Sequence, residues 1–475
     1  MSQHPVPIDG EAVTTAESAV IRSPYDGAEL GVVPVCDADH VDRAVAAARR
    51  ALHDEPLPAW QRAAILDRAA AALADEAVAE RFARIVAQEA AKPLATARVE
   101  IARAASTFTF AAAACRTLTG EVLPLDASAA GEGRLGFTVR VPVGVVGAIT
   151  PFNFPVNLVA HKLAPAIAAG CPVVCKPAGQ TPLSALALAE LLLEDCGLPA
   201  SWLHIVTGPG STVGSALVEH DDVAMITFTG SPDVGWSIRS TAARKKVSLE
   251  LGNNAPVIVE PDADWRDAAQ RIAEASTSYA GQSCISVQRV FVHHDIAPEF
   301  TDALAAAADA LVVGDPLDEA TQVSALITAD EADRVWQWIG EAVDGGARVV
   351  SGGTPPDGAV LAPTVLADVE ADMRVCADEV FGPVVGVQTY DDVEDAFARA
   401  NDTRYGLHAG IFTNDLSVVR RAISTLDFGG VIVNDVPTWR ADQMPYGGVR
   451  DSGNTREGPA YAIREMTEIR TAVMR

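Results

Sequence analysis

The chain is short of positive charge: 36 Lys and Arg stand against 63 Asp and Glu, a formal net charge of −27 over 475 residues. Nucleic acid and anionic bilayers are both held through clustered Lys and Arg, so this balance argues against either as a partner and favours a small molecule. The same acidity repels an anionic substrate unless a local basic site focuses it. No apolar run is long enough to span a bilayer. The opening residues, MSQHPVPIDGEAVTT, have neither a basic start nor an apolar core, so no secretory signal is expected and the cytoplasm is the expected compartment. Seven cysteines are scattered without a C-x-x-C pair, which argues against a disulfide framework or a zinc site, and no metal is expected. Cys171 and Cys175 flank Pro172-Val173-Val174 in what reads as a buried strand, so they belong to core packing. Short repeats and low-complexity linkers are missing too, which excludes a solenoid.

What is present is an ordinary globular mixture, 49% hydrophobic and 21% charged, with length for roughly three domains. Residues 1–35 read as turns and short strands. Alanine-rich stretches of helical period follow at 37–53, 59–74, 77–89 and 95–117. Residues 118–141 fit a β-hairpin standing off the main body. From Val141 to Leu251, short β-branched runs alternate with helical ones, the pattern of a parallel sheet with helices on its faces and a nucleotide-binding type of architecture. The alternation restarts after Glu250-Leu251-Gly252 and continues to 431–434, a second α/β domain.

Five stretches carry chemistry. Gly281-Gln282-Ser283-Cys284 presents one thiol on a polar, glycine-led loop; a thiolate is a strong nucleophile toward carbonyl carbon, and a buried inert thiol is the other reading. Gly208 to Gly214 and Gly230 to Gly235 each follow a strand-like run and open a helical one, where backbone N–H groups can approach phosphate; neither has the spacing of the dinucleotide fingerprint, and ordinary loops are the alternative. Glu250 ends an apolar run on a tight turn, as a catalytic base or a lone surface carboxylate. Asn153 sits in a loop stiffened by Pro151 and Pro155, as a fixed oxyanion donor or a turn residue capping its own loop.

The chain resembles the aldehyde dehydrogenase superfamily over nearly its whole length, through ITPFNFP at 149–155, KPA at 176–178, FTGS at 228–231, ELG at 250–252, GQSC at 281–284, EVFGPV at 379–384, NDTRYGL at 401–407 and PYGGVRDSG at 445–453. The resemblance implies an α/β fold with a Rossmann-type cofactor domain (1–116 and 142–251), an α/β catalytic domain (252–440) and a β-hairpin oligomerisation arm (117–141 and 456–475). It implies a homodimer or homotetramer, since such an arm has no core of its own. Cys284 would attack the aldehyde, the Asn153 amide and the Cys284 N–H would hold the oxyanion, and Glu250 would activate the water that hydrolyses the thioester. NAD or NADP would be the cofactor, NAD first, held by Thr150, Pro151, Lys176, Gly179, Gly230, Ser231, Leu251, Glu379 and Phe381. Arg289 and Lys162 would support.

Two departures matter. Gly179 stands where many relatives place the Glu that rejects a 2′-phosphate, so both cofactors should be used. Asn253 stands where a second glycine is usual, beside the base, where it could restrict or bond Glu250. For the substrate, His161, Arg103, Arg440 and Ser283 point to a short hydroxylated or anionic aldehyde: His161 is polar where relatives acting on bulky aldehydes carry an aromatic ring, although a satisfied core histidine is the other reading. Arg440 with Arg103 could grip an anionic group, although pairing with Asp or Glu is the default in so acidic a chain. Ser283 departs from the arginine that some phosphate-using relatives carry. The nearest branch resembles the lactaldehyde, phosphonoacetaldehyde and nonphosphorylating glyceraldehyde-3-phosphate dehydrogenases. The competing readings are a coenzyme-A-acylating dehydrogenase, against which Glu250 argues, a noncatalytic structural relative, and a cofactor-free cysteine hydrolase.

Overall fold

A computed structural model describes residues 3–475. Two small antiparallel ribbons, Val6–Ile8 with Glu11–Val13 and Ser18–Arg22 with Glu29–Pro34, lead into helices Ala38–Asp54, Ala59–Ala74, Glu76–Ala90 and Leu94–Thr117. Their starts have local causes: Asp37 accepts the His40 N–H and Asp75 accepts from Ala77 and Val78, each satisfying amides that the first turn leaves free. In the first helix Val41, Ala44, Val45 and Ala48 form the buried face, the stripe of an amphipathic helix.

The first large sheet has five strands, every neighbouring pair parallel, in the order Lys246–Glu250, Val223–Thr229, Val145–Ile149, Val173–Lys176, Leu203–Ile205. Its strands are short β-branched runs because both faces are covered; Val173, Val174 and Cys175 are fully enclosed. The chain enters at the central strand, winds outward to Leu203–Ile205, then returns to the other side through Val223–Thr229. This reversal creates a switch point between Val145–Ile149 and Val223–Thr229, and in open α/β sheets ligands bind beyond the strands' carboxyl ends at such a point. The register aligns Ile149 with Phe228 and Thr229 with Glu250, so Thr150 to Asn153, Gly230 and Glu250 all leave the sheet along one crest.

The second sheet has seven strands in the order Arg348–Ser351, Thr364–Ala367, Val384–Tyr390, Val287–His293, Ala255–Val259, His408–Phe412, Gly430–Val433, parallel except for the first pair. It offers the opposite edge: Cys284 lies just before Val287–His293 and Glu379 just before Val384–Tyr390. In the third sheet Thr467–Met474 pairs antiparallel with Leu135–Pro142 along its full length, with Val122–Leu123 on the far side. The hairpin read at 118–141 is thus mostly two 3-10 turns and one long strand, whose main partner is the chain's last strand. One of the helical runs between the strands of the first sheet is α-helical over Pro182–Glu190 and widens to a π turn over Leu191–Asp195.

Two buried carboxyls hold the helix starts around the crest. Glu89 accepts the N–H groups of Leu183 (2.9 Å) and Ser184 (2.8 Å), and burial pushes it up to about 8. Glu100 accepts from Val156 (2.9 Å) and Asn157 (3.1 Å), the start of the enclosed helix Asn157–Ala169, and also pairs with Lys92. Lys92 itself lies 3.8 Å from the centre of the Phe154 ring and 4.7 Å from that of Tyr279. Both charges of the Lys92–Glu100 pair are wholly enclosed, so removing one leaves the other without its countercharge. Lys92→Met is therefore expected to cost roughly 3–5 kcal/mol of stability in a denaturant titration; a loss within about 0.5 kcal/mol, the range of an ordinary surface change, would refute this account.

Candidate active site

Crest and opposing edge enclose a cavity of about 770 Å³. Cys284 reaches it through a loop with an unusual backbone. Tyr279, Ala280 and Gly281 lie consecutively at φ 49°, 51° and 72°, the left-handed region. A side chain at Gly281 would run into the Gly382 carbonyl, which makes glycine obligatory there. The loop is pinned by Gln282, whose Oε1 accepts the Ile327 N–H at 2.8 Å and whose Nε2 donates to the Tyr279 carbonyl at 3.3 Å. A stretch read from sequence as merely polar is therefore half-buried and held by fixed partners. Strain of this kind is held in place by its surroundings and clusters where a side chain must be presented.

The Cys284 Sγ lies 2.9 Å from the Tyr446 Oη. Burial pushes the thiol up to about 12, opposed by the Tyr446 hydrogen bond. Asn153 lines the same cavity; its Nδ2 donates to the Gln282 carbonyl at 3.0 Å, which aims the amide at the nucleophile loop. Glu250 also lines it. Among the described residues both carboxyl oxygens are buried without a hydrogen-bond partner, and burial together with the Glu457 carboxylate raises Glu250 well above the usual carboxylate range, opposed by Arg440, Lys162 and Arg456. An unpartnered buried carboxyl is costly, and such groups mark functional sites more often than structural ones. The Asn253 side chain does not reach Glu250: its Nδ2 donates to the His408 carbonyl (3.3 Å) and its Oδ1 accepts from Leu407 (3.4 Å), tying the turn to the next strand.

Of the expected cofactor residues, Pro151, Gly230, Ser231, Leu251, Glu379 and Phe381 line the cavity, and Thr150, Lys176 and Gly179 do not. Thr150 is buried at the strand end, and Lys176 donates to the Pro177 carbonyl at 3.1 Å. Gly179 faces open space between Ala178 and Gln180, which do line the cavity. Helix Pro232–Thr241 opens directly after Gly230-Ser231 with no side-chain cap, leaving its first amides available to an anion. Glu379 accepts the Asn253 N–H at 2.9 Å, and burial raises it to about 7. Phe381 packs edge-on to Phe152, 5.8 Å between ring centres.

Of the expected substrate residues, Ser283, Arg103 and Arg440 line the cavity, while His161 lies fully buried behind it. His161 Nε2 sits 3.3 Å from Asp442 Oδ1 and 3.2 Å from both Arg440 and Thr107, and burial beside Arg440 lowers its pKa. Each arginine carries a carboxylate: Arg103 donates to Asp442 (2.9 Å) and Arg440 to Glu457 (3.1 Å), with the Arg440 Nε left unpartnered. Lys162 completes this group, donating to Thr229 (2.7 Å) and Thr227 (3.2 Å). Arg289 is buried elsewhere, bonded to the carbonyls of Asn254, Arg399 and Ala400. Sequence reading missed Gln282, Tyr446, Asp442 and Glu457 as site residues. Three of them lie in or beside quoted motifs, yet nothing in a linear string says that Tyr446 meets Cys284 across 162 positions.

The sequence profile of the aldehyde dehydrogenase family matches residues 12–472. A 3-sulfolactaldehyde dehydrogenase of Priestia aryabhattai is 47% identical over 474 residues, covering 100% of this chain and 98% of its own. Among solved structures, aldehyde dehydrogenase 21 from Physcomitrella patens, in complex with the reaction product succinate, superposes with a TM-score of 0.95 at 37% identity, over 100% of this chain and 98% of its own. A glyceraldehyde-3-phosphate dehydrogenase from Methanocaldococcus jannaschii, complexed with NADP, superposes with a TM-score of 0.92 at 39% identity, over 97% and 100%.

Proposed function

The chain belongs to the aldehyde dehydrogenase family, and on that footing we propose that it oxidises a short aldehyde bearing a hydroxyl or anionic group to the carboxylic acid, with Cys284 as nucleophile and NAD or NADP as oxidant. The observation that carries this reading is the convergence of Cys284, Asn153 and Glu250 on one cavity whose wall also holds the uncapped helix start at Gly230-Ser231.

The dinucleotide fits the residues present. Gly230 and Ser231 would receive the pyrophosphate and Glu379 the nicotinamide ribose, with Phe381 beside it; Lys176, bonded to the Pro177 carbonyl outside the cavity, would have to turn to reach the adenosine ribose. When bound, the nicotinamide supplies the hydride acceptor that turns the Cys284 thiohemiacetal into a thioester. Asn153, oriented by the Gln282 carbonyl, donates to the oxyanion formed as Cys284 attacks. Glu250 takes a proton from water, which then attacks the thioester carbonyl and releases Cys284 as the leaving group; the absence of fixed partners leaves its carboxylate free to do so.

Arg103 and Arg440 support an anionic substrate. Each is already balanced by a carboxylate, but the Arg440 Nε–H is a spare buried donor. The names of the relatives agree in kind: sulfolactaldehyde, glyceraldehyde 3-phosphate and the product succinate all pair a short chain with an anionic group. His161 serves this reading from behind, by holding Arg440 and Asp442. The exposed Val122, Ile469, Val473 and Met474 of the arm support a homodimer or homotetramer in which a second copy covers them.

The test is the appearance of reduced cofactor, followed by its absorbance, with lactaldehyde, 3-sulfolactaldehyde, phosphonoacetaldehyde, succinic semialdehyde and an uncharged aldehyde of similar length, without coenzyme A. Anionic members should exceed the two uncharged aldehydes, lactaldehyde among them, at least about tenfold in kcat/KM, the effect of one charge-assisted contact near 1.4 kcal/mol. Because Gly179 presents no carboxylate, NAD and NADP should both work, with selectivity below about a thousandfold, or about 4 kcal/mol. Silence across all of these aldehydes, or a requirement for coenzyme A, would sink the proposal.

A further inference from the structure

We propose that Tyr446 is a catalytic residue, whose phenol donates a hydrogen bond to the Cys284 thiolate and so stabilises the attacking and departing sulfur, strengthened as a donor by the Arg440 guanidinium stacked on its ring. This rests on the reading of Cys284 as nucleophile. Its own ground is geometry: the Oη and Sγ are 2.9 Å apart, and the Arg440 Cζ lies 3.8 Å from the centre of the Tyr446 ring.

The ring has no freedom to leave the sulfur. Tyr446 is 2% exposed, its backbone is bonded in both directions to Glu457, and the His408 ring meets it edge-on with 4.9 Å between centres. His408 is itself held by the Pro437 carbonyl at 2.9 Å. Tyr446 packs with Ile285, Leu407 and Met444 in a small apolar cluster that also includes Cys284, and among the described residues the sulfur is the one hydrogen-bond partner of its hydroxyl. A phenol in apolar surroundings usually finds one such partner.

The direction of the bond follows from the charge state. Between neutral groups either can donate; once Cys284 has lost its proton only the phenol can. Tyr446 does not take that proton: burial and the neighbouring Cys284 raise its own pKa well above the phenol range, so it is already the neutral phenol and has no place for a second proton. The S–H proton therefore leaves to solvent or to Glu250, and the O–H stays on Tyr446 throughout. The titratable and charged groups facing Cys284 are Tyr446, Glu379, Arg440 and Glu250. Both carboxylates oppose thiolate formation, as does burial, while Tyr446 and Arg440 favour it. Arg440 pulls on the sulfur through the ring as well as through space, because a cation on an aromatic face draws electron density from the hydroxyl.

The test is the pH dependence of Cys284 alkylation by iodoacetamide in the full-length enzyme, wild type against Tyr446→Phe, with the modified residue identified by peptide mass. A single oxygen is removed and the ring, its packing and the Arg440 stack remain. Expected is an upward move of the apparent thiol pKa by about one unit, with about a tenfold slower alkylation near neutral pH and the aldehyde KM within about twofold. Thiolate ultraviolet absorbance, taken as the difference between each protein and its Cys284→Ser counterpart, should move by the same amount, and it reads ionisation without turnover. Superimposable profiles for wild type and Tyr446→Phe, with Cys284→Ser inert, would overturn the role of Tyr446 and leave the proposed reaction standing. An active Cys284→Ser enzyme would overturn both.

Discussion

Cys284→Ser is expected to lower aldehyde oxidation by at least about a thousandfold, some 4 kcal/mol of transition-state stabilisation. The physical reason lies in the site. A serine hydroxyl needs an adjacent base to attack a carbonyl, and the Glu250 oxygens make no hydrogen bond that would relay its proton. Cysteine needs only to ionise. Burial pushes the Cys284 thiol up to about 12, so the thiolate fraction, and with it the rate of alkylation, should rise with pH across the neutral range. The substitution exchanges sulfur for oxygen in a half-buried loop pinned by Gln282, so the circular dichroism spectrum and the unfolding midpoint should be unchanged. A serine enzyme retaining a tenth of wild-type turnover would remove Cys284 from the mechanism.

Glu250→Gln should separate the two halves of the reaction. The first turnover, which forms the thioester and reduces one cofactor per site, should persist as a burst, while the steady rate falls by about a hundredfold to ten-thousandfold, the range of a lost general base. Stability should not fall, because the Glu250 oxygens have no partners to lose and an amide is cheaper to bury than a carboxylate. That combination distinguishes a functional carboxylate from a structural one, whose removal would lower both. The wild-type steady rate should fall as pH drops through the raised Glu250 value, which lies above the ordinary carboxylate range, since only the ionised form takes a proton from water. The Gln variant should lose that acid limb. An unchanged steady rate would refute the assignment.

Much of this site was legible in order along the chain. Four of the motifs, at 149–155, 176–178, 228–231 and 250–252, sit where a strand ends, and a strand end is a local event: the β-branched run stops, a glycine or proline follows, and a polar residue is left at the crest. Glu250 after Val247-Ser248-Leu249 and Asn153 between two prolines were visible in this way. The direction of Asn253 stayed open because residue spacing does not say to which side a side chain turns; it bonds to Leu407 and His408, far along the chain. His161 was left between a substrate contact and a satisfied core histidine for a related reason, and it lies buried behind the cavity. Its helix is enclosed on every side, so no periodicity separates a cavity wall from the layer behind it.

The sequence by itself determined the α/β alternation, the four leading helices, the strand-end motifs and the family they spell, because these depend on local period, turn chemistry and order. Only the tertiary structure decided which of those residues meet. The switch point brings Asn153 and Gly230 together, the second sheet brings Cys284 to face them, and the loop carrying Tyr446 closes on the sulfur from 162 residues away. The left-handed run at Tyr279 to Gly281 was equally invisible, since only packing around it holds two non-glycine residues in that conformation. Burial did the rest: it set Cys284, Glu250 and Glu379 away from their ordinary acidities, and burial is a property of the packed chain alone.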